Sequence, residues 1–109
     1  MRQAVDGSTY VVHVASPVIF NPTDAENELI KPAVQGTLGV LKACQLAKTV
    51  KRLVITSSIA ALAVPSKEDY PPNGIWDESI WTDVSASNAG GVSAYRKSKT
   101  LAERAAWDF

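Results

Sequence analysis

The apolar and polar positions of this chain fall into blocks of two different periods. Residues 9–16, TYVVHVAS, form a short β-branched apolar run that stops at Pro17. A run of that length predicts a strand buried on both faces, and such strands belong to parallel sheets. NPTDAEN (21–27) follows, with Thr23 and Asp24 as alternative helix N-caps. From about Glu26 to Ala47 the apolar residues Ile30, Val34, Leu38, Leu41 and Cys44 recur at helical spacing. Pro32 falls in the first turns, where it does least damage or kinks the helix. KRLVITSS (51–58) is a second β-branched run. Strand, long helix, strand is the order of a βαβ crossover, the connection that two parallel strands require. The predicted class is therefore α/β.

After IAALAV (59–64), periodicity is lost from Pro65 to Gly91, a stretch holding the turn-forming PPNG, then WDESIW and SNAGG. Connections are ordinarily ~4–6 residues, and much longer ones often carry function. Ser93 is placed to cap a final helix whose apolar face is Leu101, Ala105 and Phe109. Gly36 and Gly39 lie in mid-helix rather than after a strand, which reads as helix packing and not as a phosphate loop.

Composition narrows the picture mainly by exclusion. The 109 residues suit one domain, and 46% hydrophobic with 20% charged residues is the balance of a globular protein. Zero formal net charge gives no electrostatic case for nucleic acid or an anionic membrane surface. No apolar run approaches the ~20 residues of a membrane helix, and no signal-peptide core stands at the N-terminus, so a cytoplasmic location is the default expectation. The lone Cys44 excludes an internal disulfide and reads as a small core residue. The lone His13, among valines, reads as a hydrogen-bonded core histidine rather than a metal ligand or catalyst.

Candidate chemistry gathers at the strand ends. Open parallel sheets bind ligands at the carboxyl ends of their strands, and the two runs here end in Ala15-Ser16-Pro17 and Thr56-Ser57-Ser58. The last helix carries Tyr95 and Lys99 four residues apart, hence on one face and ~6 Å apart along the axis. An ammonium one turn from a phenol favours the phenolate, which lets such a phenol exchange a proton with a carbonyl or alcohol near neutral pH. A serine opposite can hold the reacting oxygen. That set suits carbonyl–alcohol interconversion by hydride transfer with a nicotinamide cofactor. The competing reading of Tyr95 and Lys99 is an exposed chance pair. Trp76 and Trp81 could wall a substrate pocket or pack the long loop onto the domain.

Taken together, YVVHVASP, ELIKPAVQGTLGVLKAC, KRLVITSSIAAL, WDESIW and YRKSKTLAERAAW resemble the extended short-chain dehydrogenase/reductase superfamily. Within it they resemble the branch of dihydroflavonol, anthocyanidin and cinnamoyl-CoA reductases and related NADPH-dependent ketone or aldehyde reductases. The resemblance runs in order through essentially the whole chain. It implies a partial Rossmann-type doubly wound parallel sheet, the β-α-β-loop-α portion, with the first strands missing. It implies Tyr95 as catalytic acid/base, Lys99 as ligand of the nicotinamide ribose, and Ser58 rather than Ser57 as the holder of the substrate oxygen. Val14, Ala15 and Ser16 would lie against the cofactor, NADP(H) with NAD(H) left open. The partner implied is a small carbonyl or alcohol compound.

Departures from the family pattern set further expectations. The glycine-rich phosphate loop and the residue that reads the adenosine ribose do not occur, and the segment shaping the substrate pocket is not seen. Residues 1–109 are thus expected to be the central part of one NAD(P)-binding domain, with an unpaired edge at TYVVHVAS, an apolar face exposed and no measurable NADPH binding in isolation. The asparagine of flavonoid reductases five residues after the serine is replaced by Ala63, and the aromatic run of cinnamoyl-CoA reductases by GGVSAY. The asparagine that many members carry three before the helix glycine is Ala33. Nucleotide-sugar epimerases and dehydratases, and 3β-hydroxysteroid dehydrogenase/isomerases, share the Ser-Tyr-Lys set and form the alternative enzyme class. A catalytically inert truncated product is the non-enzymatic alternative.

Overall fold

In a computed structural model of the protein, residues 2–62, 71, 73–85 and 93–109 are described. Ala63 and the SNAGG segment, both invoked above, lie outside them, as do the first three residues of GGVSAY. Among the described residues the elements follow in the order α1 (Arg2–Val5), β1 (Tyr10–His13), a π-helical turn (Glu26–Ile30), α2 (Lys31–Ala47), β2 (Arg52–Ile55), a 3₁₀ turn (Ile59–Ala61) and α3 (Ala94–Trp107).

β1 and β2 pair in parallel, Val11 opposite Leu53 and His13 opposite Ile55. Backbone bonds from Lys51 N–H to Thr9 C=O and from Thr56 N–H to His13 C=O extend the ladder by a step at each end. The βαβ order expected from the two apolar runs is therefore present, and α2 is its crossover. Asp24, of the two candidates, is the cap: its carboxylate accepts the Asn27 N–H at 3.1 Å. The turn ahead of Pro32 is wound as a π-helix. Proline lacks an N–H and its ring crowds the carbonyl four residues back, and a locally widened turn relieves both problems.

Burial on both strand faces is not what the structure shows. In-register residues of a parallel pair share a face. Val11, His13, Leu53 and Ile55 are half-buried, whereas Tyr10, Val12 and Val54 are 70%, 65% and 51% exposed. The reason is one-sided cover. Val5, Val40, Ala43 and Cys44 form a core on which Val11, Ala47, Val50 and Leu53 pack. The opposite face is open among the described residues, as the expected apolar exposure required.

Both long helices bury the expected apolar stripe only in part: of the residues expected on the first, Ile30 and Cys44 are buried. On α2 the buried set is Ala33, Thr37, Val40, Ala43 and Cys44, with Val34, Leu38 and Leu41 half-buried. Small side chains let the helix axis close on the sheet. On α3 the buried residues are Ser98, Lys99, Thr100 and Ala102, while Leu101 and Ala105 are half-buried and Phe109 is exposed. A polar stripe can be core only if each group is satisfied. Ser98 Oγ donates to Tyr95 C=O at 2.7 Å and Thr100 Oγ1 to Arg96 C=O at 2.8 Å. No buried side-chain N or O among the described residues lacks a partner. Ser93 caps α3 as expected, accepting the Arg96 N–H at 3.3 Å. A close-packing role for Gly36 is not borne out, because a Cβ there would meet no atom within 4 Å. Among the described residues, no helix is long and apolar enough to cross a membrane.

The α2 C-terminus turns through Lys48 in the left-handed region, φ 59°. A side-chain-bearing residue costs ~1–2 kcal/mol there, which glycine avoids at some cost in chain entropy. Lys48→Gly is expected to stabilise the protein by about 0.5–1 kcal/mol, read as a higher denaturant midpoint at unchanged m-value.

Candidate active site

Along α3, Tyr95, Lys99, Glu103 and Trp107 recur every four residues and form one slowly drifting stripe. Its middle members reach the carboxyl end of β2. The Lys99 ammonium, 43 residues away in sequence, donates to the Thr56 carbonyl at 3.1 Å. The next residue of the strand end, Ser57, donates its hydroxyl proton to the Glu103 carboxylate. Glu103 also accepts a long bond from the Trp107 indole, 3.5 Å.

Ser58 follows in extended conformation and N-caps the 3₁₀ turn, its Oγ accepting the Ala60 N–H at 3.2 Å. The two serines are thus chemically distinct. Ser57 has committed its proton to a carboxylate. Ser58 is held by its oxygen, which leaves its O–H able to donate to another acceptor.

A small cavity opens between the strand ends, and Ala15, Ser16, Thr56 and Lys99 are among the residues that line it. His13, Thr37 and Glu103 line it too. Beside it, Tyr95 stands in a mostly apolar groove of about 450 Å³ with Val18, Ile19, Phe20, Ser93 and Ala94. The structure therefore brings Ala15, Ser16 and Lys99 around one cavity and sets Tyr95 in the neighbouring groove. Ser58 lines neither, and Val14 stands exposed in line with the open sheet face. Among the described residues no hydrogen bond joins the side chains of Ser58, Tyr95 and Lys99.

Thr37 and Glu103 were not anticipated. Glu103 could have been found as the next step of the Tyr95–Lys99 stripe. Thr37 gave no signal, since a threonine in a helix reads as surface until the packing is known. Of the two tryptophans, Trp81 packs: the Arg104 guanidinium lies 5.1 Å from its ring centroid.

Similarity to known proteins agrees with the geometry. Residues 1–107 match the 3-beta hydroxysteroid dehydrogenase/isomerase family, and the chain belongs to it. It is 48% identical over 109 residues to a dihydroflavonol 4-reductase of Medicago sativa, covering 98% of this chain and 48% of the relative. It is 49% identical over 105 residues to a putative anthocyanidin reductase of Ginkgo biloba, covering 94% of this chain and 30% of the relative. The crystal structure of Gre2 from Candida albicans in complex with NADPH superposes with a TM-score of 0.80 at 42% identity, over 99% of this chain and 32% of that one. Yeast methylglyoxal/isovaleraldehyde reductase Gre2 with NADPH gives 0.78 at 35% identity, over 99% of this chain and 32% of that one. The resemblance to extended short-chain reductases and the partial Rossmann-type fold read from the sequence both hold. The chain spans less than half the length of these relatives.

His13 is half-buried rather than a core residue, and it faces this cavity. Burial, and secondarily the Lys99 ammonium, hold its imidazole below the usual 6.5. The unfolded chain therefore takes up this proton more readily than the folded one. The neutral ring's contribution to stability is full above the ordinary value and is lost as pH falls from there toward the lowered folded value. His13→Asn should lose less stability than the parent between about pH 7.5 and about pH 5.5, by denaturant titration at each pH.

Proposed function

We propose that the protein is an NADP(H)-dependent reductase that converts a small aldehyde or ketone to an alcohol, with Ser58, Tyr95 and Lys99 as its catalytic set. The observation that carries this reading is the buried Lys99 ammonium fixed to the Thr56 carbonyl at the end of a parallel strand, one helical turn from Tyr95. An ammonium has three protons, and the bond to Thr56 leaves others to donate. Hydroxyl groups of a nicotinamide ribose suit them, with Ala15 and Ser16 lining the same cavity. These residues fit that end of the cofactor, which supplies a hydride when bound. The NADPH of the two reductase structures, and the dihydroflavonol and anthocyanidin reductases among the relatives, support the same cofactor and direction.

The residues divide the work as follows. Ser58, its oxygen held by Ala60 N–H, directs its O–H at the carbonyl oxygen of the substrate and orients it. Tyr95 gives its phenolic proton to that oxygen as negative charge builds there. The phenolate left behind lies ~6 Å along the helix from the Lys99 ammonium, which offsets its charge. Ser57 cannot serve in place of Ser58 while its proton is engaged by Glu103. The apolar groove of Val18, Ile19 and Phe20 beside Tyr95 suits a hydrocarbon or aromatic substituent on the carbonyl. The same residues run in reverse oxidise an alcohol, and the family's description favours a 3β-hydroxysteroid as the second reading.

In a full-length version that carries the family's phosphate loop, Tyr95→Phe should lower kcat by at least ~100-fold, about 2.7 kcal/mol, with NADPH binding retained. Lys99→Ala should weaken NADPH binding and turnover together. Near-normal turnover by Tyr95→Phe would sink the assignment.

Substrate choice follows from Ala63 and GGVSAY. A methyl side chain cannot hydrogen-bond a catechol hydroxyl, so the discrimination such a bond gives should vanish. In an NADPH-oxidation panel, isovaleraldehyde should show a higher kcat/KM than dihydroquercetin or a cinnamoyl-CoA ester. Dihydroquercetin as best substrate refutes this. NAD⁺-dependent oxidation of a 3β-hydroxysteroid faster than any reduction would favour the second reading.

A further inference from the structure

The described residues of the long segment after β2 belong neither to the catalytic set nor to the lining of the groove beside Tyr95, yet one of them is among the most deeply buried of the described residues. Thr82 is 0% exposed. Its backbone N–H donates to the Ala61 carbonyl at 2.8 Å, and its Oγ1 donates to the Ala60 carbonyl at 2.8 Å. Those two adjacent carbonyls belong to the 3₁₀ turn that Ser58 caps, and the Ala60 whose carbonyl Thr82 holds is the residue whose N–H holds Ser58 Oγ. Thr82 and Ser58 therefore grip one short turn from opposite sides.

The neighbour of Thr82 faces α3. Trp81 stacks on Arg104, one position past Glu103 on the helix that carries Tyr95 and Lys99. Two further local locks shape the segment. Asp77 accepts Ser79 N–H and Oγ–H at 2.9 and 2.6 Å, and Asp83 accepts Ser85 N–H and Oγ–H at 2.8 and 2.7 Å. Each bond holds its aspartate below the usual carboxylate range. One short stretch thus fastens the serine turn with Thr82 and touches the tyrosine–lysine helix with Trp81.

From this juxtaposition we infer that Thr82 is a positioning residue, acting through the Ala60–Ala61 carbonyls to fix the Ser58 hydroxyl relative to α3. The inference rests on the reading of Ser58 given above. A loosened turn would let Ser58 drift from the carbonyl oxygen, and misplacement on the order of 1 Å can cost up to ~100-fold in rate. Cofactor contacts, which lie on the Lys99 side, would be spared.

The test uses the intact protein with NADPH and isovaleraldehyde, together with amide hydrogen exchange. Thr82→Val keeps the shape and removes the hydroxyl, and Thr82→Ser restores the hydroxyl without the methyl. Thr82→Val should lower kcat about 10-fold at unchanged KM for NADPH, with faster exchange confined to Ser58–Leu62. Thr82→Ser should stay within about 3-fold of the parent. Unchanged kcat with unchanged exchange overturns the inference. So does a lowered Tm with full turnover per folded molecule, which would mark a role in stability alone. If Thr82→Val does not fold, the exposed substitution Arg104→Gln carries the test. It should speed exchange of the Thr82 amide and lower kcat about 2- to 3-fold at unchanged KM for NADPH, and no change in either overturns the inference. Failure of the reductase reading shows separately, as no NADPH oxidation by the unmutated protein with any carbonyl of the panel, while the exchange comparison still reports whether Thr82 holds the turn.

Discussion

The contact on which the rest of the site depends is the bond from the Lys99 ammonium to the Thr56 carbonyl. An ammonium on a residue only 7% exposed needs hydrogen-bond acceptors in place of water, and the carbonyl just past a parallel strand is such an acceptor. That bond ties α3 to the end of β2, while the rest of the helix is held by its packing on α2 and the two short turns. Tyr95 then falls one turn toward the helix N-terminus, beside the groove, and Glu103 one turn the other way, within reach of Ser57.

The buried polar residues of α3 lie on more than one face. Ser98 and Thr100 stand ~100° to either side of Lys99, and α2, the π-helical turn and the 3₁₀ turn all pack on the helix; their hydroxyls are satisfied by carbonyls of their own helix, three and four residues back. Leu101 and Ala105 are left half-buried on the groove they share with Val34 of α2. Local hydroxyl-to-carbonyl bonding costs little and asks nothing of neighbouring elements, so a helix can carry a charged residue into the interior without unpaired groups around it.

The sheet shows the opposite economy. Its two strands are joined by a crossover packed on one face only, with small residues of α2 closing on Val11 and Leu53. Tyr10, Val12, Val14 and Val54 remain exposed on the other face. The polar machinery thus sits at the rim, where strand-end carbonyls are free, and not on either face of the sheet. This is the physical content of the rule that parallel sheets bind ligands at their carboxyl edges.

What the sequence alone determined is whatever is coded within about four residues: the two β-branched runs, the crossover helix, the Ser93 cap, a cap at Thr23 or Asp24 that the structure assigns to Asp24, and the spacing of Tyr95 and Lys99. The α/β class came from the same periodicity; the resemblance in order of motifs added the Rossmann-type topology and gave roles to Ser58, Tyr95 and Lys99, with Val14, Ala15 and Ser16 against the cofactor. Periodicity could not say which stripe of each helix is buried, because Thr37, Ser98 and Thr100 count as polar until their partners are known. It could not say that Gly36 lacks a close neighbour, or that His13 faces a cavity beside a lysine. Tertiary structure alone decided the difference between the two serines, one bonded to a carboxylate 46 residues away and the other left with a free proton, and the task of Thr82, bonded across 22 residues. Those bonds join segments whose separation along the chain leaves no trace in local pattern, and only folding brings donor and acceptor to within ~3 Å.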